Sequence, residues 1–177
     1  LQRLQLRDMG QVVEVVEPGS FRTIPCPTYP EIRLSLRPRP RIMQRVTEFM
    51  PDVVHVATEG PLGQAARRIA QRLDIPLTTA YHTRFPEYVQ ARFRIPLGWT
   101  YAYLRRFHNA GRAVLVPTQV VQRDLQDRGF HNVRLWSRGV DASLFYPRQG
   151  ERLDGKPPIF LYVGRVAVEK NIDAFLR

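Results

Sequence analysis

The sequence predicts an α/β fold, a doubly wound parallel sheet of the Rossmann-like type, on three observations. Short runs rich in β-branched residues alternate along the chain with segments of helical periodicity. Glycine or proline marks most of the junctions, which indicates short connections. The 177 residues, 44% hydrophobic and 24% charged, are enough for one core of ordinary domain size. Such alternation is typical of a parallel sheet flanked by helices.

The predicted strands follow the β-branched runs. They are expected at residues 11–16, 32–36, 52–57, 76–81, 113–116, 133–136 and 159–163. Residues 17–30 contain four prolines and are expected to form a loop. We expect the strands within residues 11–136 to form one parallel sheet, with His82 at the carboxyl end of a strand.

The predicted helices fill the intervals between these strands. They are expected at residues 1–9, 41–50, 64–73, 86–94, 97–109 and 119–128, and a further helix is expected to open near Val168. Thr118 is placed to cap one helix at its N-terminus. Gly10 and Gly129 are placed to end the helices that precede them, because glycine readily adopts the left-handed backbone of a C-cap.

The order of these elements predicts two domains of unequal size. Residues 1–136 are expected to be an N-terminal Rossmann-like domain, residues 137–158 a linker, and residues 159–177 the first strand and helix of a second domain. The sequence opens inside a predicted helix and closes in another without a stop signal, so we expect it to be a fragment.

Charge and composition narrow the class of protein. The net charge of +11 comes almost wholly from arginine and attracts polyanions: nucleic acid, anionic lipid headgroups or phosphate-bearing substrates. No apolar run reaches the roughly 18 residues of a membrane-spanning helix. The single Cys26 excludes an internal disulfide framework and a multi-cysteine zinc site, which fits a cytoplasmic setting.

Ligands of doubly wound sheets bind beyond the carboxyl ends of the strands, and three predicted strand ends carry candidate residues. The first is residues 58–63 (TEGPLG), where Glu59 and Gly60 are candidates to line a substrate cleft. An ordinary strand-to-helix turn with a capping residue fits the same letters. The second end places His82, Thr83 and Arg84 together, as suits a polar ligand; a histidine bonded to a neighbouring loop fits equally.

The third strand end, residues 164–171 (GRVAVEKN), favours an anion. Arg165 and Lys170 bracket a predicted helix N-terminus, where the helix dipole already places positive charge, and Gly164 precedes them. A bound phosphate or diphosphate makes that arrangement favourable, and a salt bridge to Glu169 is the alternative. The sequence has no Walker P-loop, zinc cluster or Asp-x-Asp pair, so we expect no cofactor and no metal site.

Read together, these strand ends resemble family 4 of the retaining glycosyltransferases, which have the two-domain GT-B fold. The motifs that carry the resemblance are TEGPLG at 58–63, YHTRFPEY at 81–88, RFHNA at 106–110, WSRGVDASLF at 136–145 and VGRVAVEKN at 163–171. Within the family, the chain resembles the GDP-mannose-dependent α-mannosyltransferases of bacteria and glycosyltransferases that act on diacylglycerol-type lipids.

The resemblance implies roles for particular residues. His82 matches the family histidine that faces the donor sugar near the reacting carbon, and Gly164, Arg165 and Lys170 match the unit that binds the donor diphosphate. The family's Gly-Val-Asp turn before the second domain matches Gly139, Val140 and Asp141. Arg138, Gly139 and Asp141 are further candidates to line the cleft. The family's glycine-rich loop would precede Leu1 and its Glu-(seven residues)-Glu motif would follow Arg177, so we expect the fragment alone to be inactive.

The implied function is the metal-independent transfer of a hexose, of mannose or glucose type, with retention of anomeric configuration. The donor would be GDP-mannose or a UDP-hexose, and the acceptor a membrane lipid or a glycan. Eleven arginines form two runs, and the second is interleaved with aromatic residues between Phe85 and Phe107. These runs suit an anionic membrane on the inner face of the cell, and aromatic core residues beneath a solvated arginine face fit the same pattern. The alternatives are a non-catalytic sugar-nucleotide-binding domain and a nucleic-acid-binding basic domain, although no RRM, KH or helix-turn-helix signature is present.

Overall fold

The computed structural model describes residues 2–27, 29–82, 85–137, 139–146, 161–164 and 171–176. Their contacts divide the chain into two compact units, Leu1–Ser137 and Arg138–Arg177. The strands are β1 (Thr23–Cys26), β2 (Tyr29–Ser35), β3 (Val54–Val56), β4 (Leu77–Ala80), β5 (Ala113–Val116) and β6 (Val133–Leu135). The helices are α1 (Gln2–Asp8), α2 (Arg39–Phe49), α3 (Pro61–Arg72), α4 (Phe85–Phe93), α5 (Leu97–His108), α6 (Gln119–Asp127) and α7 (Ile172–Phe175), with a 3-10 turn at Pro18–Ser20.

A four-stranded parallel sheet in the order β3-β4-β5-β6 forms the centre of the first unit. Each strand pairs with the next strand along the chain: Val54 lies opposite Leu77, and Val114 opposite Val133. Right-handed crossovers in such an order bring the connecting helices to the same face. The predicted α/β, Rossmann-like class is confirmed.

The core lies between that face and helices α3, α5 and α6. One cluster packs α5 and α6 on β5 and β6, and includes the fully buried Leu104, Leu125 and Val116. A second packs Ala70 of α3 and Phe107 of α5 on β3 and β4. Helices α3, α5 and α6 therefore support the four strands from one face of the sheet.

Most predicted elements of the first unit are confirmed within a few residues. Helix α3 begins earlier than predicted, at Pro61, because proline is well suited to the first helical position, where no amide hydrogen is needed. The hydroxyl of Thr118 accepts a hydrogen bond from the amide of Val121, at 3.3 Å, and caps α6 as predicted. Gly10 and Gly129 both have φ of +79°, the left-handed conformation expected of C-caps.

The prediction of one parallel sheet over residues 11–136 is wrong in two respects. First, residues 23–26, expected to be loop, pair antiparallel with β2 in a separate two-stranded sheet. Pro25 is compatible with that pairing because a two-stranded ribbon has only edge strands, and the register shifts beside it. Arg33 joins the strands by donating from Nε to the hydroxyl of Thr23, at 3.0 Å.

Second, residues 11–16 belong to neither sheet, and Val12 is 84% exposed. Leu161 to Val163, the described part of the strand predicted at 159–163, are likewise outside both sheets. β-Branched residues favour a strand only where a neighbouring strand supplies hydrogen bonds and packing, and no described strand lies beside either segment.

Candidate functional site

The carboxyl ends of the four parallel strands define one edge of the first unit, and the predicted site residues of that unit follow these ends. Glu59 and Gly60 lie in the loop after β3, and His82 lies two residues after β4. The amide of Tyr81 donates to the carbonyl of Leu115 at 2.9 Å, which extends the β4–β5 ladder to the residue before His82. The backbone that leads into His82 is therefore held by the sheet, and His82 lies at the strand end where it was predicted.

His82 faces an aromatic partner that the sequence interpretation had not assigned to the site. Its ring centroid lies 6.4 Å from that of Trp136, with the planes tilted by 39°. Trp136 follows β6 and is anchored by its own amide, which donates to the carbonyl of Val116 at 2.8 Å. The apolar indole limits the orientations open to the partly exposed imidazole.

A second histidine, His55 of β3, contacts the same indole edge-on, with centroids 6.0 Å apart. Its Nδ1 lies 2.9 Å from the hydroxyl oxygen of Thr78, its register partner on β4. Burial lowers the pKa of His55, and the nearby His82 lowers it further, because each positive charge disfavours the other. His55 is therefore protonated less readily than an ordinary histidine.

Glu59 is bound to a buried histidine. One carboxylate oxygen lies 3.2 Å from Nε2 of His108, which is completely buried at the end of α5. Nδ1 of His108 lies 2.8 Å from the hydroxyl oxygen of Thr79 on β4. Since a carboxylate only accepts, Nε2 of His108 is the donor to Glu59. The chain Glu59–His108–Thr79 thus ties the loop after β3 to the neighbouring strand.

A second link fixes the backbone of the same loop. The hydroxyl of Tyr103 on α5 donates to the carbonyl oxygen of Glu59, at 3.1 Å. The same hydroxyl oxygen accepts a hydrogen bond from Nε2 of Gln64 on α3, at 2.6 Å. No specific sequence signal points to His108 or Tyr103, apart from the position of His108 inside the RFHNA motif.

The two glycines of the TEGPLG loop differ in what surrounds them. A Cβ at Gly63 would lie 1.9 Å from the carbonyl oxygen of Thr58 and 2.8 Å from Val56, so Gly63 is required for α3 to pack against the strand. A Cβ at Gly60 would meet nothing within 4 Å. Only Gly60 therefore borders open space, as a cleft residue must.

A polar cluster holds α4, which begins three residues after His82, against α5. The hydroxyl of Tyr101 donates to a carboxylate oxygen of Glu87 at 2.7 Å, and Arg128 lies over the Tyr101 ring at 4.0 Å. Burial, with the Glu87 hydrogen bond second, raises the pKa of Tyr101 to about 12, so the hydroxyl remains a donor at neutral pH. Burial also raises the pKa of neighbouring Tyr81 well above its ordinary value.

In the second unit, Asp141 organises a turn. One carboxylate oxygen accepts from the hydroxyl of Ser143 at 2.6 Å and from its amide at 3.0 Å, and these bonds, the hydroxyl first, lower the pKa of Asp141. Gly139 has nothing within 4 Å of a built Cβ, whereas at Gly164 that position would be 2.7 Å from the Tyr162 hydroxyl oxygen. A side chain of the protein therefore occupies the approach to Gly164 on that side.

Five candidates, Thr83, Arg84, Arg138, Arg165 and Lys170, lie outside the described residues. Within the described ranges, no group of three or more His, Cys, Asp or Glu side chains could hold a metal ion. Among those same residues, no helix has both the length and the apolar character needed to span a bilayer.

Comparison with known proteins agrees with the geometry of this edge. Residues 6–144 match the model of Glycosyltransferase Family 4. The chain is 34% identical, over 95% of its length, to a sulfoquinovosyl transferase of Arabidopsis thaliana. It is 33% identical over 75% of its length to a GDP-mannose-dependent alpha-mannosyltransferase of Mycobacterium tuberculosis, and 26% over 87% to an alpha-monoglucosyldiacylglycerol synthase of Streptococcus pneumoniae.

The matched region is a part of each relative: the chain spans 38%, 37% and 38% of their respective lengths. No solved structure gives a significant match. The family model covers well over half of the chain, and the matched residues include the parallel sheet, the loop with Glu59 and Gly60, and His82. The chain belongs to Glycosyltransferase Family 4.

Proposed function

We propose that this chain is the acceptor-side part of a retaining glycosyltransferase that transfers a hexose from a nucleotide-diphosphate sugar to a membrane lipid. The observation that carries the proposal is the position of His82, at the carboxyl end of β4 in a sheet of this family. Ligands of such sheets bind at that edge. Three relatives named above transfer sugars, and the name of one specifies a diacylglycerol.

His82 is proposed to orient and polarise the donor sugar. The indole of Trp136 lies against its ring and restricts its orientation. A neutral imidazole can donate one hydrogen bond to a sugar hydroxyl and accept another. A double displacement uses a pair of carboxylates. Glu59, the carboxylate assigned to this edge, is bound to His108, so the described residues of this edge do not favour that route.

The donor diphosphate is proposed to bind Gly164, Arg165 and Lys170, without a metal or another cofactor. This assignment rests on the family resemblance of residues 163–171. Two cations and the amides of a helix N-terminus can stabilise the negative charge that grows on the departing diphosphate. The donor would be GDP-mannose or a UDP-hexose, and transfer would occur at the cytoplasmic face of a membrane.

The test is sugar transfer by the intact enzyme. With GDP-mannose or UDP-glucose as donor and diacylglycerol or a glycosyl-diacylglycerol as acceptor, the anomeric configuration of the product is read by NMR. His82→Ala should lower kcat about 100-fold or more while changing the KM for the donor little, because the proposed contact is made at the reacting centre.

His131→Ala is the matched control, since His131 is exposed and lies away from the carboxyl edge, just before β6. It should leave both constants unchanged. Turnover by the His82 variant equal to that of the parent would remove His82 from the mechanism. A product of inverted configuration would exclude a retaining enzyme.

A further inference from the structure

An arginine-lined cavity of about 600 Å³ lies where helices α2 and α3 begin. Its wall includes three cationic side chains, one amide and two prolines: Arg37, Arg39, Arg68, Gln64, Pro38 and Pro61. None of the described residues that line it is acidic. Helix N-termini add partial positive charge to such a space, because their first amides have no partner within the helix.

Other arginines near this cavity have partners within the protein. Arg33 donates to Thr23, Arg41 donates to the carbonyl of Ser20, and Arg45 forms an ion pair with Glu14 at 3.2 Å. The structure shows no such contact for Arg37, Arg39 or Arg68 among the residues that it describes. Three arginines thus line one space, and none of the described residues that line it is a carboxylate that could neutralise them.

The positive charge is strong enough to affect a neighbouring group. Burial lowers the pKa of Arg67, and the charges of Arg68 and Arg106 lower it further. The charges of neighbouring arginines on Arg67 indicate a region of positive potential, where an anion is stabilised.

An apolar groove of about 470 Å³ lies between α4 and α5. Its main walls are Phe85, Val89, Phe93, Ile95, Trp99 and Tyr103. Trp99 is 76% exposed and Phe93 52% exposed, which is unusual for side chains of this size. The groove is thus an apolar surface with room for a chain of methylene groups.

A single hydrogen bond joins the two spaces. Gln64 lines the arginine cavity, Tyr103 lines the apolar groove, and Nε2 of Gln64 donates to the hydroxyl oxygen of Tyr103 at 2.6 Å. The Tyr103 hydroxyl in turn donates to the carbonyl of Glu59, in the loop at the carboxyl edge of the sheet. The two spaces are therefore neighbours, separated by the Gln64–Tyr103 pair.

We propose that the cavity and the groove form one site for an anionic lipid, with its phosphate or carboxylate headgroup among Arg37, Arg39 and Arg68 and its acyl chain along Trp99 and Phe93. The charge of the cavity selects an anion, and the adjoining groove selects an amphiphile over a free ion. That this lipid is the sugar acceptor rests on the proposed function. Binding of the lipid does not, so the two can fail separately.

The test measures binding to this chain by calorimetry and tryptophan fluorescence. Its probes, all kept monomeric, are dodecyl phosphate, neutral dodecyl glucoside and inorganic phosphate. Dodecyl phosphate should bind at least about tenfold more tightly than either of the other two, because only it uses both spaces. The emission of exposed Trp99 should shift to the blue on binding.

Variants separate the two halves of the site. Arg68→Ala should lower the affinity for dodecyl phosphate about tenfold and leave the affinity for dodecyl glucoside unchanged. Trp99→Ala should lower the affinity for both dodecyl compounds and leave the affinity for inorganic phosphate unchanged. Arg72→Ala is the control, since it removes the same charge from the exposed end of the same helix and should have little effect.

Three results overturn the proposal. One is equal affinity for the anionic and the neutral dodecyl compound. Another is an equal loss in Arg72→Ala and Arg68→Ala, which indicates general charge attraction. The third is inorganic phosphate binding as tightly as dodecyl phosphate, which indicates an ion site unconnected to the groove. If the lipid binds as proposed but the intact enzyme transfers no sugar, the lipid site is supported and only the proposed glycosyltransferase function is wrong.

Discussion

Single side chains decide how the loop after β3 is built. Glu59 is held twice, by His108 through its carboxylate and by Tyr103 through its carbonyl oxygen. Gly63 brings α3 so close to Thr58 that a methyl group has no place between them. Since Gly60 borders open space, the loop combines a fixed frame with an accessible backbone.

Gly63→Ala tests this frame. The added methyl group would lie 1.9 Å from a backbone oxygen, so α3 must move, at a cost of about 1–3 kcal/mol and about 2–12 °C in Tm. Thermal unfolding followed by circular dichroism measures the change. Gly98→Ala is the matched control, because it lies in α5 with nothing within 4 Å and should raise the Tm slightly through helix propensity. Equal shifts in the two variants would contradict a packing role for Gly63.

Among the helices, α4 is joined to α5 by a polar contact between Tyr101 and Glu87, called the polar joint below. The hydrogen bond between Tyr101 and Glu87 crosses from α5 to α4, and Oε2 of Glu87 is buried without a hydrogen-bond partner among the described residues. A half-satisfied buried carboxylate is costly unless its remaining donor stays in place. This joint therefore fixes the helix that follows His82 and forms one wall of the apolar groove.

Tyr101→Phe removes that donor. The free energy of unfolding, from urea denaturation at pH 7, should fall by about 1.5–3 kcal/mol, because a carboxylate loses its hydrogen bond in a partly buried position. Tyr146→Phe removes an exposed hydroxyl, 65% exposed as a residue, and should change stability little. A Tyr101 variant as stable as the Tyr146 variant would show that the joint contributes nothing net.

Sequence reasoning predicted the strands that have parallel neighbours, together with the caps at Thr118 and Gly129, because those signals are local. It failed at residues 11–16 and 23–26, where pairing depends on which strand lies alongside. For the site, the position of His82 was predictable from its strand. Trp136, His55 and His108 were not, because their ring contacts join residues far apart in sequence.

The whole chain combines a net charge of +11 with large apolar side chains at its surface. Two of the seven aromatic residues in the second basic run, Tyr101 and Phe107, are core residues. Phe85, Phe93, Trp99 and Tyr103 are exposed. Charge that attracts anionic headgroups and rings that enter the interfacial layer act together in peripheral membrane binding.

We therefore expect salt-sensitive binding to vesicles that contain anionic phospholipid. Sedimentation with such vesicles should fall steeply as ionic strength rises from about 0.01 to 1 M, since the screening length shrinks from about 30 to about 3 Å. Vesicles of zwitterionic phosphatidylcholine are the control and should bind weakly at every salt concentration. Comparable binding to both kinds of vesicle would argue against an electrostatic contribution.

The strand order has a consequence for how the protein folds. Because β3, β4, β5 and β6 pair in the order of the sequence, no strand waits for a distant partner. Each strand–helix unit can dock on the one made before it, and each needs only a modest loop closure. A growing polypeptide can therefore assemble the sheet strand by strand during synthesis, and the loop of Glu59 and Gly60 is fixed once α5 supplies Tyr103 and His108.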